Sequence, residues 1–394
     1  MRARVAHVTP TDRIAYLLLR ARLTRLQQAG YGITVVCGRA ADDSPAGIDY
    51  GEALRRSGLS VLYIPFAREI QPRTDLRCAA ALVRVVRQGS FDLVHSHNPK
   101  GGLLVPPLAR LAGAPAVLHT VHGLLFNDGT RGLHRWAAMA AERWTAAWSH
   151  HLLFQSAEDY ELARSRRYKS PDRLHLVGNG IDELRFDPEL YPEGRATKRR
   201  ELGYQPEDLV VGMVGRLVRE KGYEEYFAMA GRVAAAVPQA RFLVVGITEA
   251  DQTDAVDAAR LVAENGLEGR CLLLEQREDM PELYLSMDMA VLPSHREGIP
   301  RALMEASSMG LPVVATDIRG CREVIADGHT GLLFPLTDTE AFTAAVRQLT
   351  DDADLRRRMG QMGRERIQAL YTESATTRRV AACYEAALSA PGAA

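Results

Sequence analysis

No Gly-x-Gly-x-x-Gly occurs anywhere in these 394 residues, so the phosphate grip of a dinucleotide-binding dehydrogenase is missing. No Cys-x-x-Cys links any two of the five cysteines (Cys37, Cys78, Cys271, Cys321, Cys383), which argues against a zinc ribbon or a disulfide frame and for thiols in a reducing compartment. No run of 18 apolar residues is present; the best stretch, 103–121, carries Arg110, His119 and three prolines. Nor does a secretory leader precede the strand-like Val5-Ala6-His7-Val8, so a cytoplasmic protein is expected, at most peripheral on the inner face of a membrane. Aromatics at 6% offer no stacking platform, and nucleic acid is not an expected partner. Net charge is zero, but unevenly spread: residues 1–190 hold 25 Lys/Arg against 18 Asp/Glu, +7, and the remainder 24 against 31, −7. A basic half suits a phosphorylated acceptor or an anionic bilayer.

What is present has the content of a soluble globular chain, 46% hydrophobic and 25% charged, and is long enough for two cores. Strand-like and helix-like pieces alternate from the start: Arg4–Val8, Ile14–Gln28, Ile33–Cys37, Asp92–His95, Ala116–Thr120. That alternation predicts a parallel sheet wound with helices, whose ligands bind beyond the C-terminal strand ends. The turn at Gly178-Asn179-Gly180 and the proline- and charge-rich 187–206 mark a boundary, and a second series opens at Leu209–Val214. The expected division is 1–186, 187–372, and a C-terminal helical piece, 373–394, crossing back to the first domain.

The second series carries the sharpest signal. Pro293-Ser294-His295-Arg296-Glu297-Gly298-Ile299-Pro300-Arg301-Ala302-Leu303-Met304-Glu305 follows a buried strand and runs into a helix, with Pro300 suited to its first position. Amides around Gly298, Ile299 and Arg301, with the helix dipole, would seat an anion. Pro300 to Glu305 is a rise of roughly 7–8 Å, about the reach from a diphosphate to the ribose of the same nucleotide. Glu297 is then placed for a group beyond the phosphates and Glu305 for ribose hydroxyls, which fits a nucleotide-sugar. Upstream, Gly215-Arg216-Leu217-Val218-Arg219-Glu220-Lys221-Gly222 offers Arg216 and Lys221 to neutralise a diphosphate. Arg277, heading a short helix, is expected to border the base. Asp352-Ala353-Asp354 is the single Asp-x-Asp and reads as a helix cap.

In the first series, His95-Ser96-His97-Asn98-Pro99-Lys100 and His119-Thr120-Val121-His122-Gly123 follow the fourth and fifth strands. His122 sits where substrate is met; His95, His97 and His119 fit polar corners of the sheet. A metal reading of the pairs lacks a carboxylate at fixed spacing, and no metal is expected. Trp136, Trp144 and Trp148 span one face of a helix near Arg131, Arg135 and Arg143, and the first helix interleaves Arg13, Arg20, Arg22 and Arg25 with Ile14, Leu17, Leu18 and Leu23. Packing on the sheet and contact with an anionic bilayer both fit.

On Gly215-Arg216-Leu217, Glu220-Lys221-Gly222 and the Glu297-to-Glu305 spacing, the chain resembles the family-4 retaining glycosyltransferases of two-Rossmann-domain (GT-B) architecture. The resemblance implies two α/β domains facing across a cleft, a nucleotide-diphospho-sugar donor, a UDP-sugar first among them, and no obligatory metal or cofactor. It implies Arg216 and Lys221 on the diphosphate, Glu305 on ribose, Glu297 and residues 298–301 on sugar and phosphates, and His122 near the reacting carbon. Thr11, Asp12, His97, Asn98 and Lys100 become the expected acceptor-side residues, although many members carry Gly-Gly where this chain has Thr9-Pro10-Thr11-Asp12. Within the family the histidine-rich segments look like bacterial enzymes of polysaccharide or lipid-linked glycan assembly. A small soluble acceptor such as an aminocyclitol, an epimerase or phosphorylase on the same architecture, and a non-catalytic nucleotide-sugar-binding subunit are the alternatives.

Overall fold

The computed structural model describes residues 1–40, 48–67, 71–126, 130–246, 254–275 and 277–389. It divides into two units, the first built from the chain up to Gly180 and again from Glu373, the second from Ile181 to Thr372. The division lies six residues ahead of 187 because Ile181 bridges to Thr372 and Phe186 sits in the second unit's core.

In the first unit, β1 (Arg4–Thr11), β2 (Gly32–Gly38), β3 (Ser60–Tyr63), β4 (Leu93–His97), β5 (Ala116–Val121), β6 (His151–Phe154) and β7 (Leu174–Leu176) form one parallel sheet in the order β3-β2-β1-β4-β5-β6-β7. The central strands are Val/Leu-rich and buried on both faces, the pattern of a sheet covered by helices on each side. β1 does not stop at Val8. It runs to Thr11, with a register shift between Thr9 and Thr11 against β2. The first helical stretch is likewise interrupted: a five-residue π segment, Ala15–Leu19, separates Asp12–Ile14 from Arg20–Gln28. From the regular part, Arg22 enters the interior, where its Nε lies 2.7 Å from Glu373 Oε1, both side chains 2% exposed. That buried pair fastens the helix Glu373–Ser389 to the first unit, with Tyr384 and Val380 in the same core.

In the second unit, β8 (Leu209–Val214), β9 (Ala240–Val245), β10 (Cys271–Leu274), β11 (Met289–Leu292), β12 (Val313–Thr316) and β13 (Gly331–Phe334) form a parallel sheet ordered β10-β9-β8-β11-β12-β13. In each unit, strand order reverses between the first strand and the fourth, at β1/β4 and at β8/β11. Such reversals open a crevice at the carboxyl ends of the strands, where ligands of open α/β sheets bind. Thr11-Asp12 and His97-Asn98 flank one crevice; Gly215-Arg216 and Pro293-Ser294 flank the other. Asp352 caps the helix Ala353–Leu370 by accepting from the Leu355 amide.

Among the described residues no helix is long and apolar enough to cross a membrane.

Candidate functional site

In the second unit, two segments far apart in sequence are laced together. The turn Arg219–Lys221 ends at Gly222, whose φ is +78° and where a Cβ would stand 2.0 Å from the Pro293 carbonyl oxygen. Only glycine permits that approach. Across it the His295 amide donates to the Glu220 carbonyl at 2.8 Å, and Arg296 Nε donates to Glu220 Oε1 at 2.8 Å. Lys221 Nζ then reaches Glu297 Oε1 at 2.5 Å, and Ser294 Oγ donates to the same oxygen at 2.7 Å. Glu297 Oε2 has no protein partner among the described residues. A second close approach holds the far side of this loop: a Cβ on Gly320 would meet the Gly298 carbonyl oxygen at 1.8 Å.

The helix after the loop begins at Arg301, with Pro300 as its cap (φ −71°, ψ 107°) rather than its first residue. Glu305 is oriented from both sides: Tyr284 Oη donates to its Oε2 at 3.1 Å, and Arg301 lies 3.5 Å from its Oε1. Arg216 is half-buried at the end of β8, in the loop that Tyr223 Oη ties down by donating to the Gly215 carbonyl. Ile299 and Pro300 are buried, Gly298 partly so. Arg277 takes part in none of these bonds. It forms a two-pronged bond with Asp279, which it holds well below the usual carboxylate range, and also meets Glu201 at 3.1 Å.

The first unit puts most of its expected site residues to internal use. Asp12 is 2% exposed and accepts from the Arg13 amide, the Ala40 amide and Tyr63 Oη at 2.8–2.9 Å. Thr11 caps the next turn by accepting from the Ile14 amide. Lys100, 8% exposed, bonds the Ala67 carbonyl at 2.8 Å and Asp75 at 2.6 Å. His97 is 1% exposed, with both ring nitrogens bonded to other histidines, so it has no surface to offer an acceptor. Asn98 differs: a non-glycine residue at φ +67°, its Oδ1 buried without a partner among the described residues. His122, just past β5, bonds His97 through Nε2 at 3.2 Å.

The loop carrying His122 is held by two buried acids. The Leu124 amide donates to Asp159 Oδ2 at 3.1 Å and the Leu125 amide to Glu142 Oε1 at 2.9 Å. Burial, with the Asp159 carboxylate adding to it, pushes Glu142 up to about 7. A carboxyl raised in the folded state favours folding fully below its unfolded value near 4.5, and the benefit disappears as pH rises through 7. The difference is about 3 kcal/mol. Glu142→Gln, which can still accept from Leu125, is therefore expected to match the wild-type unfolding midpoint at pH 5 and exceed it at pH 8. Equal midpoints at pH 8 would refute this.

Sequence reading missed Ser294, Tyr284, His7 and Tyr384. Ser294 lies inside the segment singled out, and an imidazole within the apolar strand around His7 was a visible oddity. Tyr284 and Tyr384 carried no signal, since each acts only through a partner 21 or 289 residues away.

Two family models match: a glycosyl transferase 4-like domain over residues 19–180 and the group 1 glycosyl transferases over 194–366. The chain is 31% identical, over 74% of its length and 74% of the other's, to an Escherichia coli UDP-Gal:α-D-GlcNAc-diphosphoundecaprenol α-1,3-galactosyltransferase. It is 28% identical to an α-D-kanosaminyltransferase of Streptomyces kanamyceticus, covering 74% of this chain and 76% of that one. Its fold is similar to that of Anabaena HepE, solved in complex with UDP and glucose, with a TM-score of 0.80, 17% identity, and 98% and 100% of the two chains covered.

Proposed function

The chain belongs to the family-4 glycosyltransferases of GT-B fold, retaining hexosyltransferases that use a nucleotide-sugar, and from that premise we propose that it moves a hexose from a UDP-sugar to a hydroxyl of a polyprenyl-diphosphate-linked glycan in bacterial polysaccharide assembly. The observation that carries the donor half is the meeting of Lys221, Ser294 and Glu297 beside the N-terminus of the helix Arg301–Ser308. Arg216, Lys221 and that helix end neutralise the departing diphosphate, the largest electrostatic demand of the reaction. Glu305, aimed by Tyr284 and Arg301, takes the ribose hydroxyls, and Glu297 Oε2 takes the sugar. His122 supplies a polar contact to the substrate in this reading. No carboxylate is placed as a covalent nucleophile in this reading; the acceptor hydroxyl attacks the face the diphosphate leaves, and its proton passes to a phosphate oxygen. No metal or cofactor is required.

For the acceptor, two observations favour a lipid-linked glycan: the E. coli relative, and the helix Gly132–Trp148. That helix buries Glu142, Thr145 and Ala146 while leaving Leu133 76%, Trp136 68% and Trp144 48% exposed near Arg131, Arg135 and Arg143. Such a face fits an anionic bilayer. Salt-reversible co-sedimentation with anionic vesicles is expected, and no binding at low salt would remove the membrane part. The kanosaminyltransferase relative favours the second reading, a small aminocyclitol acceptor.

The decisive assay is transfer in the presence of EDTA, offered a polyprenyl-diphosphate saccharide or an aminocyclitol, together with thermal shift by UDP. UDP at a hundred times its Kd should add about 2.7 kcal/mol of stability. Arg216→Ala and Glu305→Ala should lose both the shift and donor turnover. Either variant turning over donor normally would refute the assigned site.

A further inference from the structure

The first unit's sheet buries a line of polar side chains that the reaction as described does not use. Thr120 Oγ1 meets His95 Nε2 at 2.7 Å, and His95 Nδ1 meets Tyr384 Oη at 2.7 Å. Tyr384 Oη meets His7 Nε2 at 3.0 Å, and His7 Nδ1 meets His97 Nε2 at 3.0 Å. His97 Nδ1 then meets His122 Nε2 at 3.2 Å. β1, β4, β5 and the C-terminal helix each contribute, and the five members before His122 are all 0–1% exposed. Burial holds His7 down to about 3 and the other two rings well below the ordinary histidine value, and it keeps the Tyr384 phenol protonated. Those three rings and the two hydroxyls are therefore neutral.

A neutral imidazole has one N–H and one bare nitrogen, and a hydroxyl has one proton. Five links need five protons; each ring inside the line spends its one there, and a Tyr384 hydroxyl that accepted from both neighbours would leave its own buried proton without an acceptor, so all donors point the same way. Thr120 decides the direction. Its buried hydroxyl makes one hydrogen bond among the described residues, to His95. If it accepted there, its own buried proton would have no acceptor, which is costly. Thr120 therefore donates to His95 Nε2. His95 Nδ1–H donates to Tyr384, Tyr384 to His7 Nε2, His7 Nδ1–H to His97, and His97 Nδ1–H to His122 Nε2. The last acceptor is filled, so the proton of His122 sits on Nδ1.

We propose that Thr120, His95, Tyr384, His7 and His97 form a tautomer-setting line that holds His122 as an Nδ1–H donor. In the reaction His122 then offers a hydrogen bond to an oxygen of the substrate and does not serve as a base. Tyr384, His7 and Thr120 are positioning residues, acting through His122 without touching substrate. The inference rests on the reading of His122 as a site residue. A metal on the three clustered rings is the competing account of the same side chains. All six of their nitrogens are already engaged in the line, so a bound ion would have to break it.

The test is the long-range side-chain 1H–15N spectrum of full-length protein labelled at histidine, with His122 assigned by its loss in His122→Gln. The expected wild-type signal is the Nδ1–H tautomer alone. Tyr384→Phe cuts the line in the middle and Thr120→Val removes its head. Each should convert His122 to a mixture or to Nε2–H and lower kcat about tenfold, with the donor KM within about twofold. Thr120→Val keeps the shape of the side chain and carries the same readout should Tyr384→Phe not fold. An Nε2–H or mixed His122 in the wild type, an unchanged tautomer in both variants, or a stoichiometric transition metal by elemental analysis would each overturn the proposal. If the tautomer shifts while His122→Gln transfers sugar as fast as wild type, the line stands and the role of His122 in transfer falls.

Discussion

Glu297→Gln is expected to lower kcat by roughly two to three orders of magnitude while moving the donor KM less than about threefold. The carboxylate is fixed through Oε1, which Lys221 Nζ and Ser294 Oγ both hold. A sugar losing its diphosphate gains positive charge at the reacting carbon, so a fixed negative group there stabilises the transition state more than bound donor. Glutamine keeps the shape and the Ser294 contact and removes only the charge. That makes it a cleaner probe than Glu297→Ala, which would leave Lys221 facing an emptied site with side chains only 9–18% exposed. A large rise in KM with kcat intact would reassign Glu297 to ground-state binding.

Acid should unfold the first unit well before the second. His7, His95, His97 and His119 are all buried, and burial depresses all four, His7 and His119 to about 3. A base whose folded value is depressed contributes stability above its unfolded value near 6.5 and loses it as pH falls, because only the unfolded chain takes up the proton. Between pH 6.5 and pH 5.0 the loss is about 1.6 kcal/mol for each of His7 and His119, and His95 and His97 act in the same direction. Glu142, shifted the opposite way, offsets about 2 kcal/mol over the same interval. The four histidines together outweigh that offset, and a net loss of even a few kcal/mol is a large part of the whole stability of an ordinary domain. Trp136, Trp144 and Trp148 all lie in the first unit, so tryptophan fluorescence reads that unit alone. A denaturation midpoint by fluorescence that is the same at pH 6.5 and pH 5.0 would rule the effect out.

The legible part of this protein was whatever depends on neighbours in sequence. Val210-Val211 and Ala290-Val291-Leu292 announced buried parallel strands because side chains covered on both faces need not alternate. The Glu297-to-Glu305 segment announced a strand, a loop and a helix because proline and glycine punctuate local backbone. What lay outside such reading was the use of each polar group. Asp12, His97 and Lys100 look like site residues by position, yet each is engaged internally by partners 25 or more residues away: Ala40 and Tyr63, His7 and His122, Ala67 and Asp75. Arg277 reads as a base contact and is held by Asp279 and Glu201.

The amino-acid order alone determined two wound sheets and the family the chain belongs to, since strand, glycine turn and helix start are local. Tertiary structure alone decided that Lys221 meets Glu297, that Tyr284 aims Glu305, and that a tyrosine near the C-terminus joins the histidines of two strands into one line. Hydrogen bonds reach only about 3 Å. Which groups come within that reach is set by the packing of whole elements, here across as many as 377 residues of chain.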